Sequence, residues 1–322
     1  MKKIIYLILA ITISCSTYNA QQIPLNSLYS YNNYMISPSE VGKIDQSKVN
    51  LSHRQQWLGF DGGMSTTWLD AQTQINPKMG IGLKLGYDKV SFLERLQIDG
   101  SFGYHLMLDD NSDIHFGLSL GVIQGAMNLN DIIATDYTDD IIVMQSFNDI
   151  AFNSQFGLSY TYDDKLNIGF SFPQIYSSDI EFENVEGAYN LNKHRYFYSS
   201  YEMDLSEGVI FTPMFLVRSV KGVEKQFDVF GNLNFNNKFW GGLGVRQEGG
   251  MIFNFGLRTL NNLNLTYAYE FNRNGVAAFS SGSHEILLSL TFGKDSPIEE
   301  EEEEENTQPL IEDEGSEEEG VE

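Results

Sequence analysis

Apolar and polar residues alternate one for one over run after run of this chain, a period that suits a strand with two unlike faces. In "LNLTYAYEF", Leu263 to Phe271, the odd positions are apolar or aromatic, and the even ones are Asn264, Thr266, Ala268 and Glu270. "MGIGLKLGY" (79–87), "IHFGLSLGV" (114–122), "FNSQFGLSYTY" (152–162), "LNIGFSF" (166–172) and "FDVFGNLNF" (227–235) repeat the pattern. A half-buried strand of a soluble sandwich alternates this way. So does a strand with lipid on one face and a polar lumen on the other.

Fourteen such runs predict strands near 47–58, 64–75, 78–88, 95–108, 113–124, 151–162, 165–174, 193–205, 208–221, 225–236, 238–248, 251–260, 263–273 and 283–293. Most reach the ~9–11 residues that a tilted strand needs to cross a bilayer, where globular strands centre nearer ~5–6. The connections separate the two environments. Counted from a periplasmic start, the even-to-odd ones are short and made of turn formers: Asn76-Pro77, Asp109–Ser112, Asp163-Asp164, Ser206-Glu207, Asn236-Asn237 and Asn261-Asn262. The odd-to-even ones include 125–150, 175–192 and 274–282, the longest in the chain. Loops sorted by parity are how an outer-membrane barrel is built, and a soluble sandwich has no reason to sort them. The expected fold is therefore all-β, a single transmembrane antiparallel barrel of about fourteen strands over residues 21–295. Leu263, Leu265, Tyr267, Tyr269 and Phe271 are expected to face lipid, so Tyr267→Arg should impair assembly more than Thr266→Arg.

The predicted strand ends carry Trp57, Tyr87, Tyr104, Tyr162 and Tyr269, where interfacial aromatic girdles sit. Inward positions carry both signs of charge: Arg54, Asp70, Lys84, Asp99, Asp228, Arg246, Arg258, Glu270 and Glu285. A lumen that pairs its own charges need not be a sieve.

The two ends read differently. Lys2 and Lys3 followed by "IIYLILAITI" (4–13) form a secretory signal pattern over residues 1–20, too short to span a bilayer as a helix. Cleavage is expected after Ala20, and Cys15, the single cysteine of the chain, leaves with the signal. Residues 296–322 form an acidic tail in which positions 299–322 hold fourteen carboxylates and no basic residue. A run of like charges with so little apolar surface is expected to stay disordered. Without the tail and the two leading lysines, 30 acidic and 18 basic residues remain, a net charge of −12. Nucleic acid, which needs a basic footprint, is excluded as a partner. An even strand count is expected to leave both the N- and the C-terminus in the periplasm, with the tail free to engage a basic periplasmic partner.

No catalytic, cofactor-binding or metal-ligating set is legible. The five histidines (His53, His105, His115, His194, His284) fall on separate strands without ligand spacing, and nucleophile-elbow, P-loop and zincin motifs are missing. His284 and Glu285 are adjacent in a strand and so point to opposite faces, which rules them out as an acid–base pair on one substrate. "RQQWLGFDGG" (54–63) closes the first hairpin. Trp57, Gly59, Phe60, Asp61 and Gly62 are the candidate partner-binding loop, although a tight hairpin also needs glycine at positive φ.

"YNNYMISPSEVGK", "RQQWLGFDGG", "GIGLKLGYDKV" with "FGYHL", "HFGLSLGV", "IGFSFPQI", "FWGGLGVR" and "GSHEILLSL" occur in the order of a known family. By these the chain resembles the PorP/SprF proteins of the type IX secretion and gliding apparatus of Bacteroidetes. In that family the early segment reads more like "NPAYAG", from which "SPSEVGK" departs, and no family pattern matches the acidic tail. The resemblance implies an integral outer-membrane protein that helps export or anchor secreted cell-surface proteins. Its implied partners are that cargo and other secretion and outer-membrane components. A porin or hydrophobic-solute channel is the alternative for such a barrel.

Overall fold

The computed structural model of the chain describes residues 23, 26–60, 62–128, 146–178, 180–181, 188–189, 192–220, 223–247, 250–260, 262–272 and 279–293. The expected signal segment 1–20, Asp61 and the acidic tail 296–322 lie outside the described residues.

Fourteen strands form one closed ring. They are β1 Ser47–Gln55, β2 Ser65–Asn76, β3 Met79–Val90, β4 Leu93–Asp109, β5 Ser112–Asn128, β6 Ser146–Tyr162 and β7 Leu166–Ser177. Then come β8, His194–Tyr201 resuming after Glu202 as Met203–Ser206, β9 Val209–Val220 and β10 Gln226–Phe235. The ring is completed by β11 Phe239–Arg246, β12 Gly250–Leu260, β13 Leu263–Asn272 and β14 Ser283–Phe292. Each strand pairs antiparallel with the next, and β14 pairs with β1 from Ser47↔Phe292 to Gln55↔His284. Closure leaves no edge, which hydrocarbon demands because it offers unpaired N–H and C=O groups no partner. All fourteen anticipated strands are present. The largest difference is that β5 runs on to Asn128 and β6 starts at Ser146, so that β4, β5 and β6 each reach 17 residues.

The connections sort by rim. Six of two or three residues lie at the rim where β1 starts and β14 ends. At the other rim, 56–64, 129–145, 178–193 and 273–282 are long, while the β3–β4 turn and the β11–β12 connection are short. By the rule for such barrels the short-turn rim is periplasmic and the long-loop rim extracellular. Turn chemistry explains the tight set. Asp163 and Asp164 have φ of 52° and 50°, and Asn236 and Asn237 have 50° and 52°. The N–H groups of Lys165 and Lys238 close these turns on the carbonyls of Tyr162 and Phe235. Both are primed hairpin turns, whose twist matches that of the strands, and Asp and Asn tolerate the left-handed region they need. Lys165 also donates to Asp204 at 2.9 Å, and that carboxylate holds its ammonium above the ordinary value.

Burial inverts the order of a soluble protein. Along β4, Arg95, Gln97, Asp99, Ser101 and His105 are buried, and Leu96, Ile98, Phe102 and Leu106 are exposed. The apolar residues are on the outside because lipid is their solvent. Eight of the nine anticipated inward charges are buried. The ninth, Arg258, stands exposed at the short-turn mouth and donates to Asn264 at 3.3 Å.

The outward face of β12 gives a direct test. Phe255 lies in the middle of that strand and is 59% exposed, whereas Phe271 lies near the long-loop end of β13. Phe255→Arg is expected to lower stability by about 2–4 kcal/mol and Phe271→Arg by about 0–1 kcal/mol. Urea unfolding of the barrel in lipid vesicles reads both, and equal costs would contradict the assigned lipid face.

Candidate functional site

The stretch ahead of β1 lies inside the barrel. Residues 26–43 pass through the lumen as three short 3-10 turns, Leu28–Tyr31, Asn33–Met35 and Pro38–Glu40. Most of "YNNYMISPSEVGK" is therefore a plug, and the wall is shaped to receive it.

At the long-loop end the plug is held by charge. Glu285 accepts the backbone N–H groups of Ser27 (2.6 Å) and Leu28 (3.1 Å), one on each oxygen. Arg54 bridges Glu270 at 2.8 Å and Glu285 at 3.4 Å, and donates to Ser27 Oγ at 2.9 Å. Arg246 joins Glu270 (2.8 Å) to Asp228 (3.1 Å) and also donates to the Asn26 carbonyl at 2.9 Å. Arg218 closes the chain on Asp228 at 2.8 Å, and Tyr29 donates its hydroxyl to the same carboxylate. Three guanidiniums thus face three carboxylates, all buried. Pairing of this kind adds little net stability, but removing one partner strands a buried charge and costs about 3–5 kcal/mol.

Midway, Tyr31 donates to Asn254 at 2.6 Å, Asn32 to Asp70 at 2.7 Å and Tyr34 to Ser101 at 2.7 Å. The Lys84 ammonium sits 4.9 Å from the centre of the Tyr34 ring, within cation–π range. On the other side of the lumen the wall is apolar. Leu28, Tyr29 and Ile36 of the plug form one buried cluster with Tyr196, Tyr198, Met214, Leu216, Phe230, Ile252, Ala268 and Leu287.

At the short-turn end the contact is steric and polar. Gly42 adopts φ +67° and lies against Gly80, where a side chain on either residue would overlap the other's backbone. A Cβ on Gly117 would likewise overlap the Pro38 carbonyl. Glu40 accepts from Tyr198 (2.5 Å), Lys43 (2.9 Å) and Asn167 (3.2 Å). His105 Nε2 lies 3.1 Å from the Val41 carbonyl and packs edge-on against His115, its partner in the β4–β5 register. Beside the plug the wall keeps some space, the largest a cavity of about 450 Å³ at the short-turn mouth among Gln46, Arg258, Asn264 and Phe292. One cavity of about 60 Å³ touches Tyr29, Trp68, Lys84, Tyr196 and Arg218. Another of about 240 Å³, at the short-turn side, touches Tyr31, Lys48, Trp240 and Arg258.

This filling changes the surroundings of one inward position. Thr266, on the inward face of β13, is 2% exposed and accepts from Trp240 Nε1 at 3.1 Å. Thr266 also borders the cavity of about 240 Å³ at the short-turn side, so the expected tolerance of Thr266→Arg depends on that space rather than on an open channel.

The anticipated partner loop sits at the long-loop rim. Gly59 and Gly62 have φ of +90° and +75°, and Trp57 itself has φ 56°, so the loop does need the left-handed region. It is moored to the β13–β14 connection: Trp57 N–H donates to Ser283 Oγ at 3.2 Å, Leu58 N–H to the Gly282 carbonyl, and Ser281 N–H to the Leu58 carbonyl. Trp57 and Phe60 meet edge to face at 6.3 Å. Leu58, Phe60, Phe92 and Phe279 remain exposed around it, Phe279 at 71%. The loop is a braced turn and an apolar projection at once.

His284 and Glu285 do point apart, His284 bonding the Tyr267 hydroxyl outside while Glu285 holds the plug inside. Among the described residues no group of three or more His, Cys, Asp or Glu side chains could hold a metal ion.

Comparison with known proteins agrees with this architecture. A sequence profile described as type IX secretion system membrane protein PorP/SprF matches residues 18–290. No curated protein matches the chain. Among solved structures, the CymD monoaromatic hydrocarbon channel superposes with TM-score 0.51 at 10% identity, covering 85% of this chain and 94% of that one. The Ralstonia pickettii toluene transporter TbuX gives TM-score 0.52 at 8% identity, covering 81% and 93%. Likeness at that identity is likeness of fold.

The seating of Pro38 on Gly117 yields a prediction for the lumen. The wild-type barrel is expected to pass no steady current in a planar bilayer. Gly117→Val, which drives a branched side chain into the Pro38 backbone, should open a measurable conductance, as should deletion of 26–43. Unchanged silence from both variants would show that the plug does not close the lumen.

Proposed function

We propose, from the premise that this chain belongs to the PorP/SprF family of type IX secretion system membrane proteins, that it is a non-enzymatic outer-membrane component helping to export or anchor secreted cell-surface proteins. The observation that carries this reading is the plug. A barrel whose lumen is occupied by its own chain, with wall charges spent on holding it, works from its rims rather than through its centre. The loop of Trp57, Gly59, Phe60, Asp61 and Gly62 is the surface that we assign to partner contact, because an exposed Phe60 on a braced turn offers apolar area at low entropic cost.

The remaining assignments follow from the two ends of the chain. The mature protein begins at Gln21 without a lipid. We assign the acidic tail to the periplasm, an assignment supported by the end of β14 at the short-turn rim. There its carboxylates repel one another, and 27 residues reach up to ~90 Å at full extension. The partner suited to such a tether is basic, and its binding should weaken as salt rises, since exposed charges are screened beyond ~8–10 Å.

Deletion of the gene tests the role. Particular surface proteins should go undelivered or unattached while general outer-membrane permeability stays normal. Loss of uptake of an apolar nutrient with secretion intact would instead establish the channel reading. Phe60→Ser separates the loop from the barrel: normal insertion with reduced cargo display is expected, and full display would remove the loop from the proposal. Truncation after Lys294 should likewise spare barrel assembly and reduce display, and normal display would leave the tail without a role there.

A further inference from the structure

The outer face of β8, β9 and β10 carries a row of polar groups where those strands reach the long-loop rim. Arg195 in β8 pairs with Ser219 in β9. Lys225 directly precedes Gln226, the β10 partner of Arg218, so it stands opposite Ser219 on the other side. The neighbours Tyr196, Arg218 and Gln226 are buried inward, which turns Arg195, Ser219 and Lys225 outward as one row across three strands. Two strand spacings put Arg195 and Lys225 about 10 Å apart, a gap that two long side chains can close on one small anion. Lys193, exposed just ahead of β8, adds a third charge.

Other cations at this rim are accounted for. Arg54, Arg95, Arg218 and Arg246 turn inward to carboxylates, and the exposed Lys89 pairs with Glu94 at 2.9 Å. Lys193, Arg195 and Lys225 are exposed and form no ion pair among the described residues. Their depth is set by the strands. Residues 209–219 of β9, and 225–235 up to the end of β10, each cover one bilayer crossing of ~9–11 residues from a short turn. At 17 residues β4, β5 and β6 rise past that level, whereas β9 and β10, with 12 and 10, stop near it. Beneath the charged row, Phe197, Val217 and Phe227 form the next outward row, and Phe227 stacks on Phe215 at 6.1 Å. Cations and a hydroxyl above an apolar row match a lipid, which sets a charged head over hydrocarbon.

We propose that the row of Arg195, Ser219 and Lys225 binds a phosphate-bearing lipid of the outer leaflet. A phosphate monoester carries about −1.5 to −2 charges near neutral pH and three acceptor oxygens. The Arg195 guanidinium takes two of them side by side, while the Lys225 ammonium and the Ser219 hydroxyl donate to the others. Hydrocarbon below the row lowers the local dielectric and strengthens each contact. The site lies on the outer wall and is independent of what the protein delivers; it requires only that the long-loop rim face the outside.

Native mass spectrometry of the assembled protein tests it, with diphosphoryl lipid A and its dephosphorylated form as probes. The wild type is expected to retain one diphosphoryl lipid A and to bind the dephosphorylated form about tenfold or more weakly. Arg195→Gln/Lys225→Gln should lose that preference, while Lys89→Gln, which removes a paired cation of the same rim, should keep it. All three positions stand at the interface, where polar exchanges spare barrel assembly. Equal binding of the two lipids by the wild type overturns the proposal without recourse to any variant. So does an undiminished preference in the double variant, or an equal loss in Lys89→Gln, which would reduce the effect to net charge. Excess inorganic phosphate should leave the lipid in place; full displacement would assign the row to a free anion and overturn the lipid site.

Discussion

Glu285 is buried in the wall of the barrel with both oxygens turned inward, and what they meet there is backbone from another part of the chain. A buried carboxylate costs free energy unless it is hydrogen-bonded, and from the wall Arg54 reaches it at 3.4 Å. The first residues of the plug supply the rest, and Arg54 ties the same carboxylate to Glu270, from which Arg246 continues to Asp228. The wall and the plug are therefore incomplete without each other. A lumen so charged would stay wet if it were empty; filled, it becomes the protein's hydrophilic core, enclosed by a hydrophobic exterior.

The two halves of the plug are retained by different physics. At the extracellular end the contacts are directional and ionic, whereas at the periplasmic end flat backbone on flat backbone excludes anything larger than glycine at Gly42, Gly80 and Gly117. The segment "SPSEVGK", where the chain departs from the family pattern, falls in that second region. Its departure is matched locally: the carboxylate of Glu40 is taken up by Tyr198, Asn167 and Lys43, the last only three residues away. Gly42, the residue that the close approach cannot do without, is kept.

How much of this was legible beforehand follows from the range of each interaction. Alternation is a local response to two media, so all fourteen strands could be placed to within a few residues, and the parity of the loops gave their orientation. The ends of β5 and β6 were missed because "GAMN" and "SFND" carry no clear period where the strands outrun the bilayer. The plug was missed for the opposite reason. Its contacts join Ser27 to Glu285 and Tyr29 to Asp228, partners 258 and 199 residues apart, and no local pattern announces them. Traces existed. Leu287 beside Leu288 breaks the alternation of β14, and Tyr196, Tyr198, Met214 and Leu216 put large apolar groups on faces that an aqueous channel would keep polar. His105 and His115, read as isolated on separate strands, are register partners, which only the pairing of β4 with β5 reveals.

Where Ser27 sits has one more consequence. The ring closes between its first strand and its last, and Ser27 bonds Arg54 on one side of that junction and Glu285 on the other. The plug is thus a staple across the seam. Zipping β14 onto β1 without it would bring together Arg54 and Glu285 with their remaining valences empty, and docking the plug before closure would leave it gripping only one lip. Closure and docking stabilise each other, so loss of the plug loosens the same junction that seals the wall.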